Sequence, residues 1–148
     1  MQFERAITPK LAIGDQPTGA DLARFQAEGY TGVVNLRNDG EPEQPLSTDA
    51  EGAEVRTLGM DYLHVGVGGT PLTEEGVKSV CDFLDGHDKV MVHCRKGGRA
   101  AALVLIHQAR ANHWSAAEAA AKGRTLGLEV DGGLRSIVED YLDTHREG

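Results

Sequence analysis

Residues 90–105 constrain this chain more than any other stretch. Val90-Met91-Val92 is an unbroken apolar run, His93-Cys94-Arg95-Lys96-Gly97-Gly98-Arg99 is polar and glycine-rich, and Ala100-Ala101-Ala102-Leu103-Val104-Leu105 is apolar again. A short apolar run without alternation reads as a strand buried on both faces, and the longer second run reads as a buried helix. A strand that turns at once into a helix leaves backbone N–H groups pointing into the turn, where the helix dipole adds positive potential. Gly97 and Gly98 let the backbone curl and come close to a ligand. Arg99 stands where the helix begins, and its planar guanidinium can grip two oxygens of a tetrahedral anion. Cys94, at the base of the same field, is a nucleophile facing a cradled oxyanion. The backbone of Arg95, Lys96, Gly97 and Gly98 forms the anion cradle. His93 shapes the loop through a hydrogen bond, and Lys96 either adds charge at the rim or is simply solvated.

The rest of the chain reads as the wall around this loop. Phe3 to Ile13 is an extended start with a turn at Pro9-Lys10. Thr18 caps a helix with Leu22, Phe25 and Gln26 on one face, ending at Gly29. Gly32-Val33-Val34-Asn35-Leu36 is a second apolar strand. Arg37 to Ser47 is acidic and carries two prolines; it is either a solvated connector or a flap that brings a carboxylate to the anion site. A modest helix over residues 48–58 precedes the strand 61–65 and the loop 66–71. Thr73 then caps a helix whose Val77, Val80, Cys81 and Leu84 share a face, which puts Cys81 in the core. After the buried helix, Asn112-His113-Trp114 is a break with Trp114 as a packing anchor. Ser115 and Glu118 form a capping box, and Gly132-Gly133 leads into a last helix with Leu134, Ile137, Val138, Tyr141 and Leu142 inward. Strands alternate with helices up to the loop and only helices follow. The expected fold is therefore α/β, a small, mainly parallel sheet flanked by helices, in one domain over residues 1–148, with the loop at the carboxyl end of a central strand.

A formal charge of −8 argues against nucleic acid and anionic membrane surfaces as partners. No apolar run reaches membrane-spanning length, and Met1-Gln2-Phe3-Glu4-Arg5 lacks a signal-peptide core, so a cytoplasmic location is expected. The two cysteines make no disulfide framework, and the six histidines show no ligand spacing. Neither a metal nor another cofactor is expected. Oligomeric state is open.

Arg99 follows Cys94 with four residues between them. This spacing resembles two families. Tyrosine and dual-specificity cysteine phosphatases carry His-Cys, a loop one residue longer, Arg, then Ser or Thr. Rhodanese-like sulfurtransferases carry Cys-Arg-x-Gly-x-Arg, which Cys94-Arg95-Lys96-Gly97-Gly98-Arg99 matches. Over nearly its full length the chain resembles the bacterial beta-lactamase-hydrolase-like phosphatase family, a branch of the dual-specificity phosphatase fold. The likeness is carried by Gly14-Asp15-Gln16-Pro17, Val33-Val34-Asn35-Leu36-Arg37, Tyr62-Leu63-His64-Val65 and His93 through Arg99. It implies a cysteine-phosphatase-like fold and a hydrolase acting on phosphate monoesters, small molecules or proteins, through a phosphocysteine on Cys94, with Arg99 binding phosphate. The chain departs from the phosphatase pattern twice. Ala100 replaces the usual hydroxyl after the arginine, and the loop 66–71 has no general-acid carboxylate. Asp39 is the candidate acid, with Glu41, Glu43 and Glu74 as substitutes. Two other readings stay open: a rhodanese-like sulfurtransferase with a persulfide on Cys94, and a non-catalytic phosphate-binding module.

Overall fold

The computed structural model describes residues 1–68 and 72–144. Within them the first strands are β1 (Glu4–Thr8), β2 (Leu11–Gly14) and β3 (Gly32–Asn35), with helix α1 (Gly19–Ala27) between β2 and β3. Helix α2 (Thr48–Thr57), β4 (Asp61–His64), α3 (Glu74–Asp85), β5 (Val90–His93), α4 (Gly98–Asn112), α5 (Ala116–Leu126) and α6 (Gly132–Thr144) follow. The sheet runs in the order β1-β2-β5-β3-β4. All its pairs are parallel except β1 with β2. The fold is the expected α/β architecture with a mostly parallel sheet.

The chain start is more regular than an extended segment. It is a hairpin whose second strand joins the sheet in parallel beside β5, and Leu11 to Gly14 are all buried there. The strand β5 therefore lies between β2 and β3, buried on both faces, which explains its lack of alternation. Two cores flank the sheet. Leu22, Phe25, Val33, Val55 and Met91 form one, under α1 and α2. Val77, Val80, Cys81, Leu84, Val92 and the apolar face of α4 form the other. Cys81 is thus a core residue, and Trp114 packs at the core's margin. Gln26 does not share the buried face of α1; it is exposed, and Leu22 and Phe25 alone are buried there.

Helix ends follow local chemistry. Thr18 with Asp21, and Ser115 with Glu118, form reciprocal capping boxes. Thr73 caps α3 through the Gly76 N–H. The exception is α4. Its N-cap is Gly97 at φ 105°, with no side-chain cap, so the helix begins two residues earlier than the apolar run suggests and its first-turn donors face the loop.

The sheet register explains where the site lies. His93 is level with Gly14 on one side and with Asn35 on the other, and Asn35 is level with His64. The segments that leave these strands, Asp15-Gln16, Leu36-Arg37 and Cys94-Arg95, therefore emerge together at the carboxyl edge of the sheet.

Candidate active site

Cys94 leaves β5 in a fixed position. Its backbone N–H donates to the Gly14 carbonyl at 3.3 Å, and the His93 carbonyl accepts from the Leu36 N–H at 3.0 Å. The thiol sulfur is buried and accepts the Gly97 N–H at 3.0 Å. The loop thus folds back on its own cysteine. Two contacts hold it from behind. A Cβ on Gly97 would lie 2.6 Å from the Phe3 ring, and one on Gly98 would lie 2.8 Å from Leu134. At Gly97 the Phe3 ring and the positive φ together call for glycine, whereas beside Gly98 the Leu134 methyl can give way.

Arg99 is held end-on by a carboxylate that the sequence offered only as a substitute. Its Nη1 donates to Glu41 Oε2 at 2.8 Å and its Nη2 to Glu41 Oε1 at 2.7 Å. Nη1 also donates to the Val67 carbonyl at 2.9 Å. Among the described residues no protein oxygen takes the Nε–Nη2 edge, and the Cys94 sulfur lies within hydrogen-bonding reach of the guanidinium. The hydrogen bond to Glu41, with the nearby Cys94 sulfur, raises the Arg99 pKa.

The acidic segment after β3 is a flap anchored from below. Arg37 is fully buried. Its Nε donates to Glu41 at 3.2 Å and its Nη1 to the Glu43 carbonyl at 3.0 Å. Its Nη2 donates to the Pro42 carbonyl. The Glu41 carboxylate also accepts the Asn38 N–H at 2.7 Å. Hydrogen bonds from Arg99, then from Asn38 and Arg37, hold its carboxyl down at about 2. Glu43, in a left-handed backbone at φ 56°, pairs with Arg95 at the exposed rim. That pairing holds Glu43 below the usual carboxylate range. Lys96 is exposed beside it.

Asp39 is not brought to the loop by any described contact. Its Oδ1 accepts the Thr48 N–H at 2.8 Å and its Oδ2 the Thr48 hydroxyl at 2.9 Å. These bonds lower its pKa, the opposite of what a general acid at neutral pH needs. It caps the start of α2 instead. Glu74 is engaged by α6 and α4, with Tyr141 Oη donating to it at 2.7 Å and Arg110 Nη1 3.5 Å away. Of the loop 66–71, Gly69, Thr70 and Pro71 lie outside the described residues.

Among the described residues His93 hydrogen-bonds to helix α2 and not to the loop itself. It is fully buried, and its Nε2 donates to Glu51 Oε2 at 2.6 Å. Glu51 is itself fully buried, on the first turn of α2. Sequence reasoning missed it, although a signal existed: Thr48, Glu51, Gly52 and Val55 lie at helical spacing and form the buried face of α2. An acid on an apolar face needs a partner, and His93 is that partner.

The chain is similar to known proteins over most of its length. Residues 3–111 match the family model of the beta-lactamase hydrolase-like protein, phosphatase-like domain. The chain belongs to this family. It is 32% identical over 142 residues to the beta-lactamase hydrolase-like protein of Xylella fastidiosa, covering 95% of this chain and 33% of that one. The chain thus spans about a third of the length of this curated relative. Among solved structures it resembles Tk-PTP in its active form, with a TM-score of 0.76 at 21% identity, covering 96% of this chain and 97% of that one. It also resembles PTPMT1, with a TM-score of 0.74 at 16% identity, covering 96% and 95%. At such identities these structures speak for the fold alone. Among the described residues no helix is long and apolar enough to cross a membrane, and no cluster of His, Cys, Asp and Glu could hold a metal ion.

Proposed function

We propose that this phosphatase-like domain is a cysteine-dependent phosphatase acting on phosphate monoesters. The observation that carries the reading is the juxtaposition of the buried Cys94 sulfur with the Gly97 N–H and an Arg99 whose Nε–Nη2 edge is left open by Glu41. In the proposed reaction the Cys94 thiolate attacks phosphorus as the P–O bond to the leaving group breaks. The leaving oxygen takes the bonding pair, and a phosphocysteine forms. Arg99 and the uncapped N–H groups of the loop hold the equatorial oxygens, stabilising charge where it develops. Water then attacks phosphorus and the sulfur leaves with the S–P pair.

The flap carboxylates bear on which phosphates suit the site. Asp39, Glu41 and Glu43 are all held below their ordinary pKa by hydrogen-bonded partners. None of them is a proton donor at neutral pH in this arrangement, so a contribution of about 10²–10⁴-fold from general acid catalysis is not drawn from the flap. Monoesters whose leaving group departs as an anion, such as aryl phosphates, are the substrates this favours. The same feature favours a second reading, sulfur transfer through a persulfide on Cys94, which needs no acid and matches the short loop.

The test is hydrolysis of an activated aryl phosphate between pH 5 and 8 by the wild type and by Cys94→Ser. Turnover that vanishes in Cys94→Ser supports the phosphatase. A wild type without turnover that gains one sulfur on Cys94 from thiosulfate, seen by mass, replaces it with the second reading.

A further inference from the structure

We propose that Gln16 is a positioning residue of this site: its amide is the middle link of one hydrogen-bonded chain that joins His93, before the nucleophile, to Arg99 at the far end of the loop. The proposal rests on the phosphatase reading in taking Cys94 and Arg99 as the groups that need positioning. Each link is short. His93 Nε2 donates to Glu51 Oε2 at 2.6 Å, and Gln16 Nε2 donates to Glu51 Oε1 at 3.0 Å. Arg37 Nη1 donates to Gln16 Oε1 at 2.8 Å, and Arg37 Nε donates to Glu41 Oε1 at 3.2 Å. Arg99 Nη2 donates to the same Glu41 oxygen at 2.7 Å.

The order of donors and acceptors explains why glutamine stands at position 16. Glu51 can only accept and Arg37 can only donate. A residue between them must donate on one side and accept on the other from a single planar head. Glutamate would set an oxygen against the Glu51 carboxylate, and lysine would set an ammonium against the Arg37 guanidinium. Methionine would offer neither bond. The second Nε2 hydrogen of Gln16 goes to the Pro17 carbonyl at 2.9 Å, so the amide is fully committed. Three of the residues it connects, His93, Glu51 and Arg37, are fully buried, where such chains are strong when complete and costly when broken. The six residues come from five separate segments: the chain after β2, the flap after β3, α2, β5 and α4. The Gly14-Asp15-Gln16-Pro17 and Asn35-Leu36-Arg37 motifs thereby acquire a physical role. They tie the sheet edge to both ends of the anion loop.

Calorimetric binding of inorganic tungstate, a tetrahedral oxyanion that needs no turnover, reads the positioning directly. Gln16→Met removes both bonds at nearly constant volume. It is expected to weaken tungstate binding on the order of tenfold, and Glu41→Gln to do the same. Because both act through one chain, the double variant should lose little more than the weaker of the two, instead of the product of both losses. The exchange variant Gln16→Glu with Glu51→Gln restores the alternation of donors and acceptors along the chain. It should recover part of the affinity that Gln16→Glu alone loses, a recovery that loss of packing at residue 16 would not give. Tungstate affinity equal to wild type in Gln16→Met, losses that multiply independently, or no recovery on exchange would each overturn the proposal. A wild type that binds tungstate but hydrolyses no aryl phosphate would instead overturn the phosphatase reading and leave the coupling to be decided by tungstate alone. A wild type that binds no tungstate overturns both.

Discussion

Replacing Glu41 by glutamine measures how far the site rests on one carboxylate. Glu41 lies between two guanidiniums, with its side chain 19% exposed. Its hydrogen bonds, led by that from Arg99, lower its carboxyl from 4.5 to about 2. At about 1.4 kcal/mol per pH unit, this corresponds to an upper bound of about 3 kcal/mol in favour of the folded state. Because the carboxylate still meets solvent, screening reduces the expected contribution to about 1–2 kcal/mol. The folded pKa lies below the unfolded one, so this stability is fully present above 4.5 and is lost as the pH falls through about 2. Glutamine keeps the shape but turns an amide N–H₂ towards a guanidinium. Urea unfolding of wild type and Glu41→Gln at pH 7 should therefore differ by about 1–2 kcal/mol at equal m-value, with the gap narrowing on acidification below the unfolded carboxylate pKa. Equal stability at neutral pH, or a gap that stays constant from pH 6 to pH 3, would refute the reasoning.

Three further outcomes follow from named contacts. Gly97→Ala combines a backbone at φ 105° with a Cβ 2.6 Å from the Phe3 ring. It should cost about 2–4 kcal/mol, and adding Phe3→Ala should recover only the steric part; a loss under about 0.5 kcal/mol in urea unfolding contradicts this. Asp39→Ala removes the acceptors of both Thr48 donors. It should lower the urea midpoint slightly while leaving the leaving-group dependence of kcat/KM unchanged; a dependence that steepens for alkyl phosphates would restore Asp39 as the acid. Burial pushes the Cys81 thiol up to about 11. Iodoacetamide at pH 8 should leave Cys81 unmodified in the native protein and modify it in urea, and native labelling at the unfolded rate would rule this out.

The strand–loop–helix around Cys94 was legible because its signals are local: an apolar run, glycines where the backbone must turn, an arginine at a helix start. The core face of α3, the Thr18 cap and the Ser115–Glu118 capping box were legible for the same reason, though Asp21 as the reciprocal partner of Thr18 was not. Contacts between segments distant in the sequence were not. Nothing near Leu11 reveals that β2 inserts beside β5, since a short apolar strand pairs equally well at an edge or in the middle of a sheet. Glu41 and Asp39 are two residues apart in one acidic stretch, and which of them meets Arg99 depends on Arg37 folding under the flap. The sequence favours Asp39 by chemistry alone; the buried guanidinium turns Glu41 inward and leaves Asp39 to α2. Glu51 was obscured by Asp49 and Glu54 on the same helix, and only the spacing of Thr48, Gly52 and Val55 marks it as the inward one.

The two acidic contacts on the loop differ in kind, and the difference follows from burial and geometry. Glu43 meets Arg95 at the solvent-exposed rim, with its own side chain 75% exposed. Exposed pairs of this sort contribute little. Glu41 meets Arg99 beneath the rim, shares its oxygens with Arg37 and the Asn38 N–H, and grips the guanidinium end-on. An anion need not displace it, because the Nε–Nη2 edge is the other side of the same planar group. In a chain of net charge −8, an anion site needs its cations turned inward and kept from surface carboxylates. One half-buried glutamate does this by occupying the edge of Arg99 that the proposed anion does not use.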